Sequence, residues 1–230
     1  MSPQYLYIVF FLFTCATTLA QNAKDERDHH TMMLTGGLSA YGSEPSYNIE
    51  IGYSWFPLKY VGASIGVEIQ KYMDSKNGFI LEDGNKKYEI TKDQLEISHF
   101  SLTPAVSLRS PILWFKNRNS GITFQCDPGL MLTFPNQHLN VAEHRPEDSM
   151  TGTTHLKSFT NHGGKCVFWR IRNLLSFTDG NGQISLGYSL SNFDPFSCRR
   201  NMTVGSRKIF QNSPKHNFSH TFFIAFGYNF

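Results

Sequence analysis

His99 and Ser101 are separated by a single residue, a spacing at which an imidazole could take a proton from a hydroxyl and turn it into a nucleophile. In an extended chain both side chains project to the same side. Acyl transfer by such a pair also needs an acid that orients the imidazole and a substrate carbonyl within reach of the hydroxyl. No glutamate follows Ser101 at a suitable distance, and the next residue is Leu102. The catalytic set is therefore read as empty, with His99 and Ser101 as the residues of an alternative, hydrolytic reading.

A second set is ionic. Glu50, Glu68 and Asp127 share a strand parity with Arg109, Arg170 and Arg172, three acids against three bases. Balanced charge on one enclosed face points to a space-filling network of ion pairs, because unpaired charge there would be costly. An ion or proton pathway is the alternative use of the same residues. The segment before the C-terminal strand is basic, with Arg199, Arg200, Arg207, Lys208 and Lys215 against one acid, Asp194. Guanidinium groups pair with phosphate in bidentate fashion, so this segment is a candidate for phosphate contacts, with a solvated charged loop as the alternative.

Metal and cofactor chemistry finds little support. Cys126, Cys166 and Cys198 form no C-x-x-C pair and sit beside no histidine at a zinc-finger spacing. His29 and His30 next to Asp28 are better explained by a polar tail than by a metal site. Asp179-Gly180-Asn181-Gly182 lacks the acidic spacing and closing glutamate of a calcium loop and reads as a tight hairpin. No cofactor and no metal are expected.

The elements that must position these residues begin with the N-terminus. Residues 1–20 are uncharged and carry an apolar stretch from Tyr5 to Ala16, followed by small residues up to Ala20. This reads as a cleaved secretory signal peptide, with Cys15 inside the discarded part. Residues 21–31 read as a flexible polar segment. Beyond the signal no apolar run approaches the roughly 18 residues of a membrane helix, and the mean hydropathy is −0.32. A membrane span in this chain must therefore be made of strands.

Period-two alternation supplies eight of them: Met32 to Tyr41, Tyr47 to Phe56, Tyr60 to Tyr72, Ile97 to Arg109, Gly121 to Phe134, Lys165 to Phe177, Gln183 to Ser191 and Thr221 to Phe230. In each, an apolar face alternates with one too small and too polar for a soluble sandwich core. Pro104 and Pro128 fall mid-strand and each removes a ladder donor. Apolar parity is unchanged across both, which predicts continuous strands with local hydrogen-bond defects. Long connections alternate with shorter turns, placing three long loops at one end. Aromatic residues gather near the strand ends, with Trp55, Tyr60, Phe177, Tyr228 and Phe230 at the turn end and Tyr41, Tyr47, Phe100, Phe134 and Phe222 at the loop end. Paired aromatic girdles of this kind mark the two interfaces of a membrane.

The C-terminal strand, with Ile224, Phe226, Tyr228 and a final Phe230 in alternation, resembles the assembly signal of small outer-membrane barrels of Gram-negative bacteria, of the OmpA and OmpX kind. The resemblance covers residues 32–230 and implies an all-β fold, an eight-stranded antiparallel up-and-down transmembrane β-barrel, assembled by the barrel-assembly machinery. It also implies outer-membrane location, contact with outer-membrane lipid and lipopolysaccharide through Arg199, Arg200, Arg207 and Lys208, a monomeric state and no nucleic-acid partner. The His-x-Ser element distantly resembles that of lipid A deacylase barrels, but the family's asparagine after the serine is Leu102 here. A non-enzymatic barrel with a role in envelope integrity, adhesion or surface interaction is the expected function. A lipid A deacylase-like hydrolase and a secreted soluble ligand-binding barrel are the alternatives. On such a barrel Cys166 and Cys198 both lie near the loop-end rim and can meet in a disulfide, whereas Cys126 points to lipid and stays free.

Overall fold

The structure, a computed structural model, describes residues 29–42, 44–72, 78–91, 97–116, 119–135, 138–145, 154–160, 163–197, 199–210, 213 and 215–230. The expected signal peptide and residues 21–28 of the N-terminal segment lie outside this set. In chain order the strands are β1 (His30–Tyr41), β2 (Glu44–Trp55), β3 (Val61–Tyr72), β4 (Phe79–Asp83), β5 (Lys86–Ile90), β6 (Ile97–Leu102), β7 (Ala105–Arg109) and β8 (Leu113–Trp114). They continue as β9 (Ser120–Pro135), β10 (His138–His144), β11 (His155–Thr160), β12 (Val167–Asp179), β13 (Gly182–Ser191), β14 (Thr203–Val204), β15 (Arg207–Lys208) and β16 (Ser219–Asn229).

Antiparallel pairing runs β12-β13-β16-β1-β2-β3, then β6 with β7, then β9, which returns to β12. With β6 and β7 forming one wall strand, the sheet closes as an eight-stranded barrel, and closure leaves no wall strand with an unpaired edge. β1 opens at His30, two residues earlier than alternation alone suggested, because the His30 N–H donates to the Phe230 carbonyl at 3.1 Å and the Phe230 N–H returns a bond to His30 at 2.9 Å. The Asp179 turn closes as expected, with Asp179 opposite Gly182 and Gly180 at φ 55.

Both prolines are carried without a register slip. Val67 opposite Leu102 and Val61 opposite Leu108 belong to one alignment on the β3 side, as do Leu102 opposite Leu132 and Arg109 opposite Gln125 on the β9 side. Pro104 has no N–H to give, but its carbonyl accepts from Leu130 N–H at 2.9 Å and the Thr103 N–H reaches Gly66 at 2.9 Å. A side chain at Gly129 would collide with the Pro104 carbonyl and with Ala105, so glycine lets the two backbones close at the break.

The faces are those of a membrane barrel. Leu38, Leu186 and Phe222 point outward at 73%, 61% and 67% exposure, while Glu50 and Glu68 are inside at 3% each. An apolar exterior of this extent suits lipid and would aggregate in water, which sets aside the soluble-barrel alternative. Trp55, Phe177, Tyr228 and Phe230 flank the belt at the turn end, and Tyr47, Phe100, Phe134 and Phe222 at the loop end. Tyr41 does not join the girdle. Its parity turns it inward, where it is fully buried.

The long connections are folded rather than loose. β4 and β5 from one and β10 and β11 from the next form a four-stranded sheet in the order β11-β10-β5-β4. One face packs Tyr88, Ile90, Leu139 and Val141 against Met202, Val204 and Phe210 of the last connection, which carries the β14–β15 hairpin.

Gly129→Val is expected to destabilise the barrel by about 1–3 kcal/mol through overpacking, read as a lower urea midpoint in lipid vesicles. Gly36→Ala, whose added methyl meets nothing within 4 Å, should stay within about 0.5 kcal/mol.

Candidate functional site

The lumen holds the chemistry-bearing side chains. β12 and β2 stand four strands apart in either direction round the ring, so a bond between them crosses the whole interior. Arg170 makes that bond twice, from Nη2 to Glu50 Oε1 at 3.0 Å and from Nη1 to Glu50 Oε2 at 3.1 Å, and Nη1 also reaches Glu68 Oε2 on β3 at 2.7 Å. Arg172, two residues on and on the same face, reaches Glu50 Oε1 at 3.2 Å and Thr35 Oγ1 at 2.8 Å, with its guanidinium 4.6 Å from the Phe223 ring centre. Thr103 donates to Glu50 and Asn48 to Glu68, each at 3.0 Å. A side chain at Gly66 would strike the Glu50 carboxylate, so glycine makes room for it.

Asp127 sits directly opposite Arg172 across the β9–β12 pair and accepts from Gln125 Nε2 at 2.9 and 3.1 Å. Arg109 shares the inward face with these residues and stands opposite Gln125 in the β7–β9 register. It closes β7 at the turn end, where its Nε donates to the Lys59 carbonyl at 2.9 Å and its guanidinium lies 3.8 Å from the Phe56 ring centre. Parity assigns a face but not a depth, and Arg109 has the expected face nearer the turn end. At mid-barrel two guanidiniums thus hold Glu50 and Glu68, and donors from Thr103, Asn48 and Gln125 reach Glu50, Glu68 and Asp127 in turn.

Two cavities border the cluster, each about 10 Å³, room for about one water molecule. Toward the turn end Met33, Leu174, Phe223 and Ala225 fill the interior. Toward the loop end the chain after β13 folds down into the mouth. Phe193 and Phe196 pack there with Tyr41, Tyr72, Ile97, Met131 and Phe168. Tyr41 pins the mouth by donating to the His216 carbonyl at 3.1 Å and accepting the His216 N–H at 2.8 Å.

His99 belongs to this plug. Its ring meets Phe193 edge-on with centres 5.1 Å apart, and Nε2 lies 3.1 Å from the Pro195 carbonyl. Ser101 bonds instead to Thr133 Oγ1 at 3.1 Å. Both face inward, as alternation requires, and the hydrogen bonds of each go to separate partners.

The basic segment is divided by the fold. Arg199 is buried, and Arg200 is paired with Asp194 at 2.6 and 3.1 Å. Arg207 and Lys208 lie exposed on β15, and Lys215 is exposed before β16. Cys126 is half-buried on the lipid face opposite Asn173, as expected for a free thiol. Cys166 is an exposed free thiol among the described residues, and Cys198, its expected disulfide partner, lies outside them. His29 Nδ1 bonds the Phe56 carbonyl and His30 Nδ1 the Tyr53 hydroxyl, at 2.7 and 2.6 Å. Ile224, Phe226, Tyr228 and Phe230 all face outward at the β16 seam.

Two features escaped the sequence reading. Glu143, buried on β10, gathers Arg145, Lys86 and Lys157 at 3.0, 3.2 and 3.9 Å. On β4, Asp83 accepts the Ser206 N–H at 2.8 Å and the Ser206 hydroxyl at 2.7 Å, tying the β14–β15 hairpin to the sheet. The Asp83 to Ser206 link joins segments more than a hundred residues apart, which no local pattern announces.

A closed antiparallel barrel of eight strands, filled with polar side chains and girdled by apolar and aromatic ones, is the architecture of small outer-membrane barrel proteins. Among solved structures the chain is similar to Ail, the attachment invasion locus protein of Yersinia pestis, in complex with the heparin analogue sucrose octasulfate (12% identity, TM-score 0.38, 88% of this chain and 99% of that one). It is also similar to Neisserial surface protein A (8%, 0.42, 87% and 96%) and to the outer membrane enzyme PagL (7%, 0.37, 87% and 99%). Likeness at this level carries no inference about binding or catalysis. No family model matches the chain, and no curated protein matches it in sequence.

Arg170→Met is expected to destabilise the barrel by about 3–5 kcal/mol, since it strands Glu50 and Glu68 without their partner. Adding Glu50→Gln and Glu68→Gln should restore most of the loss in the same urea titration. The Asp83 carboxyl is held below its ordinary 3.8 by the Ser206 hydroxyl and N–H. A depressed acid stabilises the fold above its unfolded value, and that support fades as pH falls through the folded value. Amide protection factors of the 203–208 hairpin, corrected for intrinsic exchange, should therefore fall only below about pH 4, and Asp83→Asn should remove that pH dependence.

Proposed function

We propose that this chain is a non-enzymatic outer-membrane barrel that serves as a mount for its folded loop tier, which acts outside the cell in envelope integrity, adhesion or surface interaction. The observation that carries the reading is the tier itself. Three connections share one hydrophobic core while the lumen beneath is closed by aromatic rings and an ion-pair cluster. A pore-former or a lumenal enzyme would keep a passage or a cleft, and the interior volume here is spent on contacts that hold the walls.

In this reading a signal peptide exports the chain, the barrel-assembly machinery takes it up through the β16 residues Ile224, Phe226, Tyr228 and Phe230, and the monomer stands in outer-membrane lipid. Arg207 and Lys208 are the members of the basic segment placed to meet lipopolysaccharide phosphates, since both are exposed. The hydrolase alternative needs His99 to serve Ser101, and the Pro195 and Thr133 bonds of that pair favour a structural role.

Reconstituted protein is expected to give no conductance steps in planar bilayers and to leave lipid A acylation unchanged by mass spectrometry. Acyl loss that disappears in Ser101→Ala would replace this reading with the hydrolase, and steady conductance would replace it with a channel.

A further inference from the structure

The lipid-facing belt carries a hollow among the described residues. Leu34, Gly36 and Leu38 face outward in succession on β1, and Gly36 leaves its place empty between Ile224 of β16 and Ile49 of β2. The resulting apolar groove, about 590 Å³, straddles β16, with Phe222 and Ile224 along its middle, Gly36 and Leu38 of β1 on one flank and Leu186 of β13 on the other. Its floor is sealed from within, where the Phe223 ring lies against Gly187 so closely that any side chain there would collide with it.

At the loop-end rim of this groove the belt carries a polar pair. Tyr188, one outward position beyond Leu186, bonds through its hydroxyl to His220 Nδ1 at 2.6 Å, and its ring packs on Phe222 with centres 5.1 Å apart. That bond orients the imidazole and leaves Nε2 without a protein partner among the described residues. Exposed Lys215 precedes His220 on the same segment. A groove open to hydrocarbon, with donors at its headgroup end, matches the two ends of a lipid.

We propose that the groove holds one acyl chain of an outer-leaflet phosphorylated glycolipid, lipid A, whose phosphate oxygens rest on the Tyr188–His220 pair. The proposal rests on the membrane-spanning reading above. Inside a bilayer an apolar cleft gives no hydrophobic gain over bulk lipid, so retention comes from close packing and from polar contacts. Selectivity for a phosphorylated lipid therefore falls to the Tyr188–His220 pair, and residence to the groove at Gly36.

The test uses the full chain in mild detergent, loaded with purified lipid A, cleared of excess and examined by native mass spectrometry. A heat-dependent gel shift first checks the barrel in every sample. The wild type should retain one lipid A per barrel, Gly36→Leu should cut retention at least tenfold with the gel shift intact, and Tyr188→Phe with His220→Ala should reduce it several-fold. Dephosphorylated lipid A should bind as weakly to the wild type as lipid A does to that double variant. If Gly36→Leu does not fold, Leu186→Trp fills the groove from the opposite wall and decides the same question. Equal retention by wild type and filled variants, or none by a wild type that shows the gel shift, overturns the site while leaving the barrel standing. Loss of the gel shift in the wild type overturns the barrel itself. A wild-type dimer that Gly36→Leu dissolves assigns the groove to a second copy instead.

Discussion

The bond from Arg170 to Glu50 spans the barrel from one wall to the opposite one, and much of the interior is arranged to make it possible. Lipid outside the walls offers no hydrophobic drive to press them together, because hydrocarbon is as apolar as the side chains it meets. Cohesion must come from backbone closure and from what crosses the lumen. A guanidinium suits that position because its fork can hold two carboxylates from different strands at once. Gly66 clears space for the Glu50 carboxylate, and the Thr103 hydroxyl, just before Pro104, supplies a further donor.

Above the barrel mouth the patterning rule reverses. Within the wall, apolar residues point away from the molecule's axis and polar ones toward it. In the loop tier Tyr88, Leu139, Val141 and Met202 turn inward, and charges other than Glu143 and Arg199 turn toward the surface, as they would in any domain bathed in water. Tyr41, Tyr72, Phe168 and Phe193 occupy the boundary between the two regimes, where an apolar cluster inside the barrel seals a polar lumen from solvent. The same chain thus reads two solvents, and the plug marks the level at which one replaces the other.

The wall was legible in the amino-acid sequence because its signal is local and repeated. Every wall strand carries several alternations, and the faces of Glu50, Glu68, Asp127, Arg170 and Arg172 follow from counting by two. Height along the axis is not encoded in that count, so it does not tell that Arg109 lies nearer the turn end, against Phe56 and the Lys59 carbonyl. The tier was missed for another reason. β4 and β5 are five residues each and β10 is seven, short runs interrupted by lysine and glutamate, and the β5–β10 pairing that makes one sheet of them joins two different connections. The role of His99 likewise depends on Phe193 and Pro195, residues nearly a hundred positions away that arrive only when the last connection folds back.

The seam between β1 and β16 joins Thr31 to Asn229 and Ala40 to His220. Pairings so distant in the chain contribute heavily to contact order, and the entropy of closing a long loop falls due before any of them forms. Each hairpin in the wall can zip from its own turn, but the seam has no turn to start from. Until it forms, β1 and β16 each present a bare edge, the most aggregation-prone state a sheet can occupy. The barrel therefore has a point of no return in time as well as a seam in space, and a chain delayed before that point is the one most in need of an escort.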